Sequence, residues 1–175
     1  MTDETLVSTG RAWVFGDDID TDVLAPGAYM KAPIEELAQH CLEAVDPDFA
    51  RNVRPGDIVV AGANFGIGSS REQAAQALKL LGVDVVVAVS FGGLFFRNAF
   101  NLGLAALVCP RAGEIAQGDR LTVDVQRGSI RNDDRGTRCP CEPIPGHLAD
   151  LLRCGGLIPY LQRRLEGTAQ NGGAL

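Results

Sequence analysis

The sequence lacks the long apolar run and the basic surface that two large protein classes require. None of the apolar segments in its 175 residues approaches the roughly 18 residues of a membrane-spanning helix, so we expect no membrane association. Lysine and arginine number 16 against 22 acidic residues, and the net charge of -6 argues against a nucleic-acid surface. Residues 1–10 lack the basic and apolar regions of a signal peptide, which favours a cytoplasmic location.

The sequence also lacks an export signal that would place its cysteines in an oxidising compartment. The chain has five cysteines: Cys41, Cys109, Cys139, Cys141 and Cys154. An odd number without an export signal predicts reduced thiols. Cys139, Cys141 and Cys154, with His147, have the ligand chemistry of a zinc or iron–sulfur site. However, a Cys-x-Cys spacing is less usual than Cys-x₂-Cys, and Cys154 lies on an apolar helical face. A buried structural thiol is the favoured interpretation for Cys154.

Apolar segments alternate with helical patterns in the first two thirds of the chain. Strands are predicted at residues 11–15, 58–61, 83–90 and 104–108. Residues 83–90 form a nearly continuous apolar run typical of burial on both faces, and residues 104–108 are predicted to be another buried strand. Apolar residues at helical spacing predict helices over residues 33–45, 70–81 and 94–102. This alternation indicates an α/β fold with βαβ units and a mainly parallel sheet with flanking helices.

The pattern changes after Pro110. Residues 120–125 alternate as a half-buried strand, and a second strand is predicted near residues 129–131. Residues 132–137 are polar and predicted to be mobile. Two short helices are expected at residues 147–153 and 158–165. We therefore expect one domain over residues 1–166 and a disordered tail over residues 167–175.

The most informative segment is residues 62–73, Gly-Ala-Asn-Phe-Gly-Ile-Gly-Ser-Ser-Arg-Glu-Gln, which joins a predicted strand to a predicted helix. Glycines allow close approach to a ligand, and a helix N-terminus supplies free N–H donors and a positive dipole. Ser69, Ser70 and Arg71 lie at the same junction. The segment therefore suits a carboxylate or phosphate, with a serine able to take part in chemistry.

A purely structural interpretation of the same junction is a capping box, either Ser69 with Glu72 or Ser70 with Gln73. If Ser70 caps the helix, Ser69 is left free to face a ligand. Arg71 in a first helical turn is unfavourable for the helix dipole, which predicts a negative group nearby.

Three familiar site patterns do not fit this segment. A dinucleotide fingerprint needs a third glycine where Arg71 stands, and a P-loop needs Gly-Lys-Ser/Thr. A hydrolase elbow needs a histidine to activate its serine, and only His40 and His147 exist, neither in a helpful context. A serine base without histidine needs donors that stabilise its alkoxide, for which the helix N-terminus and Arg71 are the candidates.

Two earlier loops carry further candidates. Residues 17–22 contain four carboxylates, which could bind a hard cation, although capping, hydrogen bonding and partner contact are favoured over metal binding. Tyr29, Met30 and Lys31 follow Pro26-Gly27 on a flexible-looking loop, where contact with a ligand is plausible.

The motif G-x-N-F-G-x-G-S-S-R-E-x-A, preceded by D-x-I-D-T-D, resembles the small subunit of 3-isopropylmalate dehydratase and, more distantly, the swivelling C-terminal domain of aconitase. The similarity covers most of the chain. It includes residues 16–23, 54–57, 62–74, 90–91, 96–98, 103–104, 141–145 and 155–157.

This resemblance implies a swivelling β/β/α domain and a two-subunit hydro-lyase, active only with a large subunit. That subunit would carry a [4Fe-4S] cluster, and this chain no metal or cofactor of its own. The reaction would interconvert 2-isopropylmalate and 3-isopropylmalate by dehydration and rehydration, a step of leucine biosynthesis. By motif match, Ser69 corresponds to the catalytic base, Arg71 to the arginine that binds a substrate carboxylate, and Ser70 to its supporting neighbour.

The resemblance also assigns supporting and substrate-loop positions. The supporting positions are Asp20, Thr21, Asp22, Asn64, Gly66 and Gly68, and the substrate loop contains Tyr29, Met30 and Lys31. Family members often have cysteine where Ile67 stands and histidine where Gln73 stands.

The substrate itself stays open. Met30 could line an apolar pocket, whereas Lys31 could bind an additional carboxylate, so isopropylmalate, methylmalate, dimethylmalate and a homoaconitate-like tricarboxylate all remain. A non-catalytic module that binds carboxylates and a zinc-stapled interaction domain are the alternatives from other classes.

Overall fold

The computed structural model describes residues 6–171, with the backbone alone for residues 168–171. Within this range the strands are β1 Val7–Val14, β2 Ile58–Ala61, β3 Val85–Ala88, β4 Ala105–Val108, β5 Arg120–Asp124, β6 Ser129–Asn132 and β7 Thr137–Pro140. The helices are α1 Thr21–Leu24, α2 Ile34–Ala38, α3 Phe49–Asn52, α4 Glu72–Leu80, α5 Gly93–Asn101, α6 Gly146–Cys154 and α7 Leu157–Asn171. Single 3₁₀ turns occur at Gly27–Tyr29 and Ala112–Glu114.

All of these strands join one sheet in the order β4-β3-β2-β1-β5-β6-β7. The run from β1 to β4 is parallel, which confirms the predicted βαβ units. The run from β1 through β5 and β6 to β7 is antiparallel. The α/β class is confirmed, but the sheet is half parallel rather than mainly parallel. Because β1 pairs with β5 from Val7 to Arg11, it also begins earlier than the predicted residue 11.

The sheet separates two apolar clusters. One face packs against α2, α4 and α5 around Phe49, Phe65, Phe95 and Phe100, all with at most 1% of their surface exposed. The other face curls onto itself, so that Val87 and Leu107 of the parallel part share a cluster with Ile130 of the antiparallel part. The two ends of the sheet meet where Glu142 N donates to Val108 O at 2.8 Å. This arrangement is the expected β/β/α layering.

The helix predicted over residues 33–45 is wrong in its second half. Helix α2 ends at Ala38, and the following turns use shorter-range bonds such as His40 N to Leu37 O at 3.0 Å. Leu42 has a left-handed φ of 62° and donates its N–H to Val23 O at 3.0 Å. The chain thereby buries Leu42 completely, and that burial outweighs the modest cost of the left-handed conformation.

The polar segment at residues 132–137 forms the turn from β6 to β7. Strand β7 was not predicted from the sequence pattern. Asn132 is buried, and its Nδ2 donates to Asp119 Oδ2 at 2.7 Å. Arg135 Nε donates to the same oxygen at 2.9 Å. Burial raises the pKa of Asp119, but these bonds and one from Ala116 N together hold it below its usual value. The predicted mobility is therefore wrong, because a buried carboxylate organises the turn.

The C-terminal part consists of α6 and α7, joined through Gly155, which has a left-handed φ of 83°. Residues 167–171 continue α7 as helix, contrary to the predicted start of a disordered tail. Residues 172–175, and residues 1–5 of the N-terminal prediction, lie outside the described residues. No helix within residues 6–171 combines the length and apolar character that crossing a bilayer requires.

Candidate active site

Two loops lie side by side at the carboxyl edge of the sheet, because they follow the neighbouring parallel strands β1 and β2. We call residues 16–20 the acidic loop and residues 62–71 the glycine loop. Backbone hydrogen bonds join them at regular intervals, from Asp18 N to Ala63 O at 2.8 Å and from Gly66 N to Ile19 O at 2.6 Å. Thr21 N, just beyond the acidic loop, donates to Ile67 O at 2.8 Å. The pairing continues the sheet beyond its last strand residues.

Side chains strengthen this pairing. Asp17 Oδ1 accepts from Ala63 N at 2.7 Å, and Asn64 Nδ2 donates to Asp18 Oδ1 at 2.8 Å. Asn64 has a left-handed φ of 61° and its N–H donates to Ser90 Oγ at 2.8 Å. The carboxylates of the acidic loop thus accept hydrogen bonds from the glycine loop, as the preference for hydrogen bonding over metal binding predicted.

Two glycines make the close approach possible. Gly66 has a φ of 76°, and a Cβ built on it would overlap the Phe95 side chain. Gly68 has a φ of 110°, and its Cβ would lie 2.9 Å from Thr21 Oγ1. Neither position tolerates a side chain, because the conformation is left-handed and the space is occupied.

Gly66→Ala is therefore expected to lower the free energy of unfolding by about 2–4 kcal/mol through strain and overlap with Phe95. Urea denaturation of the purified chain measures this change. Gly93→Ala is the matched control, since within the described residues nothing lies within 4 Å of a Cβ at Gly93 in the first position of α5. An equal loss of stability in both variants would contradict the explanation.

Ser69 lies exposed just before α4, and its position is set by Thr21. Ser69 N donates to Thr21 Oγ1 at 3.1 Å, and the two hydroxyl oxygens are 3.3 Å apart. Since Thr21 Oγ1 already accepts one N–H, its own proton can be directed to Ser69 Oγ. Thr21 is 3% exposed, so this second hydroxyl is buried beneath the serine.

Neither capping box forms in the part of the chain that the structure describes. Helix α4 begins at Glu72, its N-cap residue is Arg71, and no side chain caps it. The first N–H groups of α4 therefore remain available to an anionic group beside Ser69. Ser70 is also exposed, and its carbonyl oxygen accepts from Asn98 Nδ2 of α5 at 3.2 Å.

Arg71 turns toward α1 and toward residues 27–31, the loop predicted to bind substrate, which we call the substrate loop. Its Nη1 donates to Asp22 Oδ1 at 2.6 Å and to Ala25 O at 3.1 Å. Asp22 is the negative group that the position of Arg71 predicted, and the hydrogen bond from Arg71 lowers the pKa of this carboxyl. Within residues 6–171 both hydrogen bonds of the guanidinium use Nη1, which leaves Nε and Nη2 for another carboxylate.

The same aspartate connects Arg71 to the substrate loop. Asp22 Oδ1 also accepts from Gly27 N at 3.1 Å. Asp20, in turn, caps α1 by accepting from Asp22 N at 2.9 Å and from Val23 N at 2.8 Å. The structure thus brings Ser69, Thr21, Asp22 and Arg71 together with the start of the substrate loop.

The three substrate-loop candidates lie in different environments. Tyr29 is half-buried, with its ring stacked on His40. Met30 is also half-buried and packs against the helical core, whereas Lys31 is exposed.

Several residues that organise the site were not among its predicted members. Asp17, Asp18 and Ser90 bind the glycine loop, Asn98 binds the Ser70 carbonyl, and Phe95 fills the space under Gly66. Asp17, Asp18, Ser90 and Asn98 all lie in segments that carry the family resemblance. Their presence there was the signal that could have identified them.

The alternative metal-ligating set of Cys139, Cys141, His147 and Cys154 is not brought together in the structure over residues 6–171. Cys139 and Cys141 are buried with Cys109, whose Sγ donates to Pro140 O at 3.7 Å. A hydrogen bond from Cys141 lowers the pKa of the Cys109 thiol, while the same contact raises that of Cys141. Cys154, predicted to be a buried structural thiol, is only half-buried and accepts from Arg163 Nη1 at 3.7 Å. Across the described residues, no group of three or more His, Cys, Asp or Glu is arranged to hold a metal ion.

Known proteins are similar to this chain in sequence and in fold. The family model of the aconitase C-terminal domain matches residues 24–112. The 3-isopropylmalate dehydratase small subunit 1 of Archaeoglobus fulgidus is 50% identical over 159 residues, or 90% of this chain and 98% of that protein. The chain belongs to the 3-isopropylmalate dehydratase small-subunit family. The family's small subunit from Methanosarcina mazei is 49% identical over 156 residues, 88% of this chain and 96% of that protein.

The fold agrees with this family as well. The crystal structure of 3-isopropylmalate dehydratase (leuD) from Methanocaldococcus jannaschii matches with a TM-score of 0.90 and 40% identity. The match covers 95% of this chain and 99% of that structure. The expected family and its aconitase-type fold are therefore confirmed, and the chain is a subunit of a hydro-lyase of the aconitase superfamily.

Proposed function

We propose that this chain supplies the proton-transfer half of a two-subunit dehydratase that isomerises a 2-alkylmalate, with 2-isopropylmalate and 3-isopropylmalate as the favoured pair. The observation that carries the proposal is the position of Ser69, exposed beside an uncapped helix N-terminus and 3.3 Å from the buried Thr21 hydroxyl. The Ser69 hydroxyl therefore lies beside hydrogen-bond donors, the Thr21 hydroxyl and the first N–H groups of α4, that would stabilise its alkoxide form.

In this proposal Ser69 removes the proton from the carbon next to a substrate carboxylate. A serine hydroxyl is a weak base unless its charged form is stabilised. The Thr21 hydroxyl and the free N–H groups of α4 favour the alkoxide of Ser69, because both direct positive charge toward it. On rehydration the same oxygen returns the proton, so one residue serves both directions.

Arg71 holds the substrate by a carboxylate. Its Nε and Nη2 present two parallel donors, which match the two oxygens of a carboxylate. Because Asp22 and Ala25 O hold Nη1, the fork is oriented before the substrate arrives. Ser70 supports the same carboxylate from the adjacent position.

The hydroxyl that leaves the substrate needs an electrophile from outside this chain. The thiols of Cys109, Cys139 and Cys141 are buried in the sheet, where Cys109 donates to the Pro140 carbonyl, and within residues 6–171 they form no group of three or more ligands, so they do not fit an iron–sulfur cluster. We therefore assign the [4Fe-4S] cluster to a large-subunit partner, where it would supply the Lewis acid for the substrate's hydroxyl.

The choice of substrate depends on the substrate loop. Met30, packed against the core, suits an apolar substituent such as isopropyl, and this favours isopropylmalate and a place in leucine biosynthesis. The exposed Lys31 is the feature that favours a homoaconitate-like tricarboxylate, while a smaller apolar pocket would select methylmalate or dimethylmalate. The cytoplasm, where reduced thiols persist, is the proposed location.

Co-expression with the large subunit encoded by a neighbouring gene tests the proposal. The pair is expected to copurify and to interconvert 2-isopropylmalate and 3-isopropylmalate, whereas the chain alone is expected to be inactive. Metal analysis should find iron and sulfide with the large subunit and no stoichiometric zinc in this chain. Activity of the chain alone would overturn the two-subunit assignment. Substrate binding without turnover in the loaded pair would favour a non-catalytic carboxylate-binding module.

A further inference from the structure

The substrate loop has few constraints of its own. Its 3₁₀ turn is closed by local backbone bonds, Tyr29 N to Pro26 O at 3.0 Å and Met30 N to Gly27 O at 3.3 Å. A single short turn of this kind has little intrinsic stability. The conformation of the loop must therefore be held by contacts with residues outside the turn.

One such contact is made by Asp22, which accepts from Gly27 N beside Arg71. Tyr29 and Met30 also pack against the helical core, and a further contact is made at Tyr29. The Tyr29 ring stacks on the His40 imidazole with the ring centroids 3.6 Å apart and the planes 5° from parallel. The loop is thus held at Gly27 by Asp22 and at Tyr29 by a histidine from the turn after α2.

The imidazole is itself oriented by Glu43. The distance from His40 Nδ1 to Glu43 Oε2 is 2.6 Å. Because a carboxylate oxygen only accepts, Nδ1 carries the proton of this hydrogen bond. The bond fixes the rotation of the ring, so the plane that Tyr29 contacts has a defined direction.

We infer that His40 is a positioning residue for the substrate loop, acting through Tyr29 on the placement of Met30 and Lys31. One face of the Tyr29 ring is covered by His40 and is not available to a substrate. The next two residues follow immediately after this anchor, so a change in the stack changes where their side chains stand. The inference rests on the proposed function, since it assigns the loop to substrate binding.

If His40 served only to stabilise the fold, its truncation would lower the free energy of unfolding rather than weaken substrate binding. The side chain of His40 is 28% exposed and that of Glu43 is 38% exposed, so truncation leaves a surface gap rather than a core cavity. We therefore expect His40→Ala to fold with nearly normal stability. Its effect should appear in substrate binding, with the isopropyl and methyl substituents affected unequally.

The test compares His40→Ala, His40→Phe and the control His147→Ala in the reconstituted complex. His147 is the other histidine of the chain and lies exposed on α6. With 2-isopropylmalate, His40→Ala is expected to raise KM about 3- to 10-fold, the range set by one aromatic contact, with kcat within about 2-fold. His40→Phe should recover most of this loss because a flat ring restores the stack. His147→Ala should match the wild type.

Two further readouts complete the test. The ratio of kcat/KM for 2-isopropylmalate to that for 2-methylmalate should change in His40→Ala and not in His147→Ala. Amide deuterium exchange of residues 27–32 should accelerate in His40→Ala and return toward normal in His40→Phe. Unchanged exchange and KM in His40→Ala would overturn the inference, as would a loss of kcat alone. If the wild-type complex is inactive on both acids, the proposed function fails, and the exchange rates still decide the anchoring role.

Discussion

Ser69→Ala in the reconstituted complex is expected to lower kcat by about 10²- to 10⁴-fold, the usual contribution of a positioned general base. The change removes the oxygen that would take the proton and leaves the glycine loop intact, because the backbone N–H of Ser69 still donates to Thr21 Oγ1. KM should change little, since in the proposed function Arg71 and the substrate loop hold the substrate. Steady-state kinetics with 2-isopropylmalate measure both parameters.

Two other variants sharpen this result. Thr21→Val keeps the shape of the side chain and removes the oxygen that lies 3.3 Å from Ser69 Oγ and that also accepts the Ser69 N–H, and a smaller loss of kcat is expected. Ser129→Ala, on β6 in the antiparallel part of the sheet, is the control and should retain wild-type kinetics. Wild-type turnover in Ser69→Ala would remove Ser69 from the catalytic role.

Arg71→Lys is expected to raise KM for 2-isopropylmalate by about 10- to 100-fold, the effect of losing a hydrogen bond to a charged group. The guanidinium can contact Asp22 and Ala25 O through Nη1 while Nε and Nη2 face a substrate carboxylate. An ammonium group has the charge but not the planar fork, so it cannot make both sets of contacts in one fixed geometry. The effect on kcat should be smaller than the effect on KM.

Arg51→Lys is the matched control for this substitution, because Arg51 is exposed on α3. It should leave KM unchanged. Asp22→Asn adds a second comparison, since it removes the negative partner of Arg71 while keeping the side-chain shape. It should raise KM less than Arg71→Lys does. An unchanged KM in Arg71→Lys would contradict the assignment of this arginine to substrate binding.

The parallel part of the fold followed directly from the sequence pattern. Strands β2, β3 and β4 are buried on both faces, and their continuous apolar runs made them recognisable. The helix over residues 33–45 was overestimated, because its apolar spacing continues past Ala38 although the backbone bends to bury Leu42. Periodicity shows which residues are buried, but it does not show that a tertiary bond to Val23 O replaces a helical one.

The antiparallel part was harder to predict for a related reason. Strand β7 is short and polar, and only Cys139 among its residues is buried. The turn before it is organised by Asp119, which precedes Asn132 by thirteen positions. Local composition therefore indicated a mobile segment, whereas a buried network of hydrogen bonds holds it in place.

The sequence by itself determined the family and the residue types that lie at the proposed site. Glycines, two serines and an arginine between an apolar strand and a helix indicated an anion site, and the wider motif indicated the family. Only the tertiary structure decided which side chains contact Ser69 and Arg71. Thr21 lies 48 positions before Ser69, and Asp22 lies 49 positions before Arg71. Their contacts exist because β1 and β2 pair in parallel and bring their following loops to one edge, which a pattern read along a single segment does not contain.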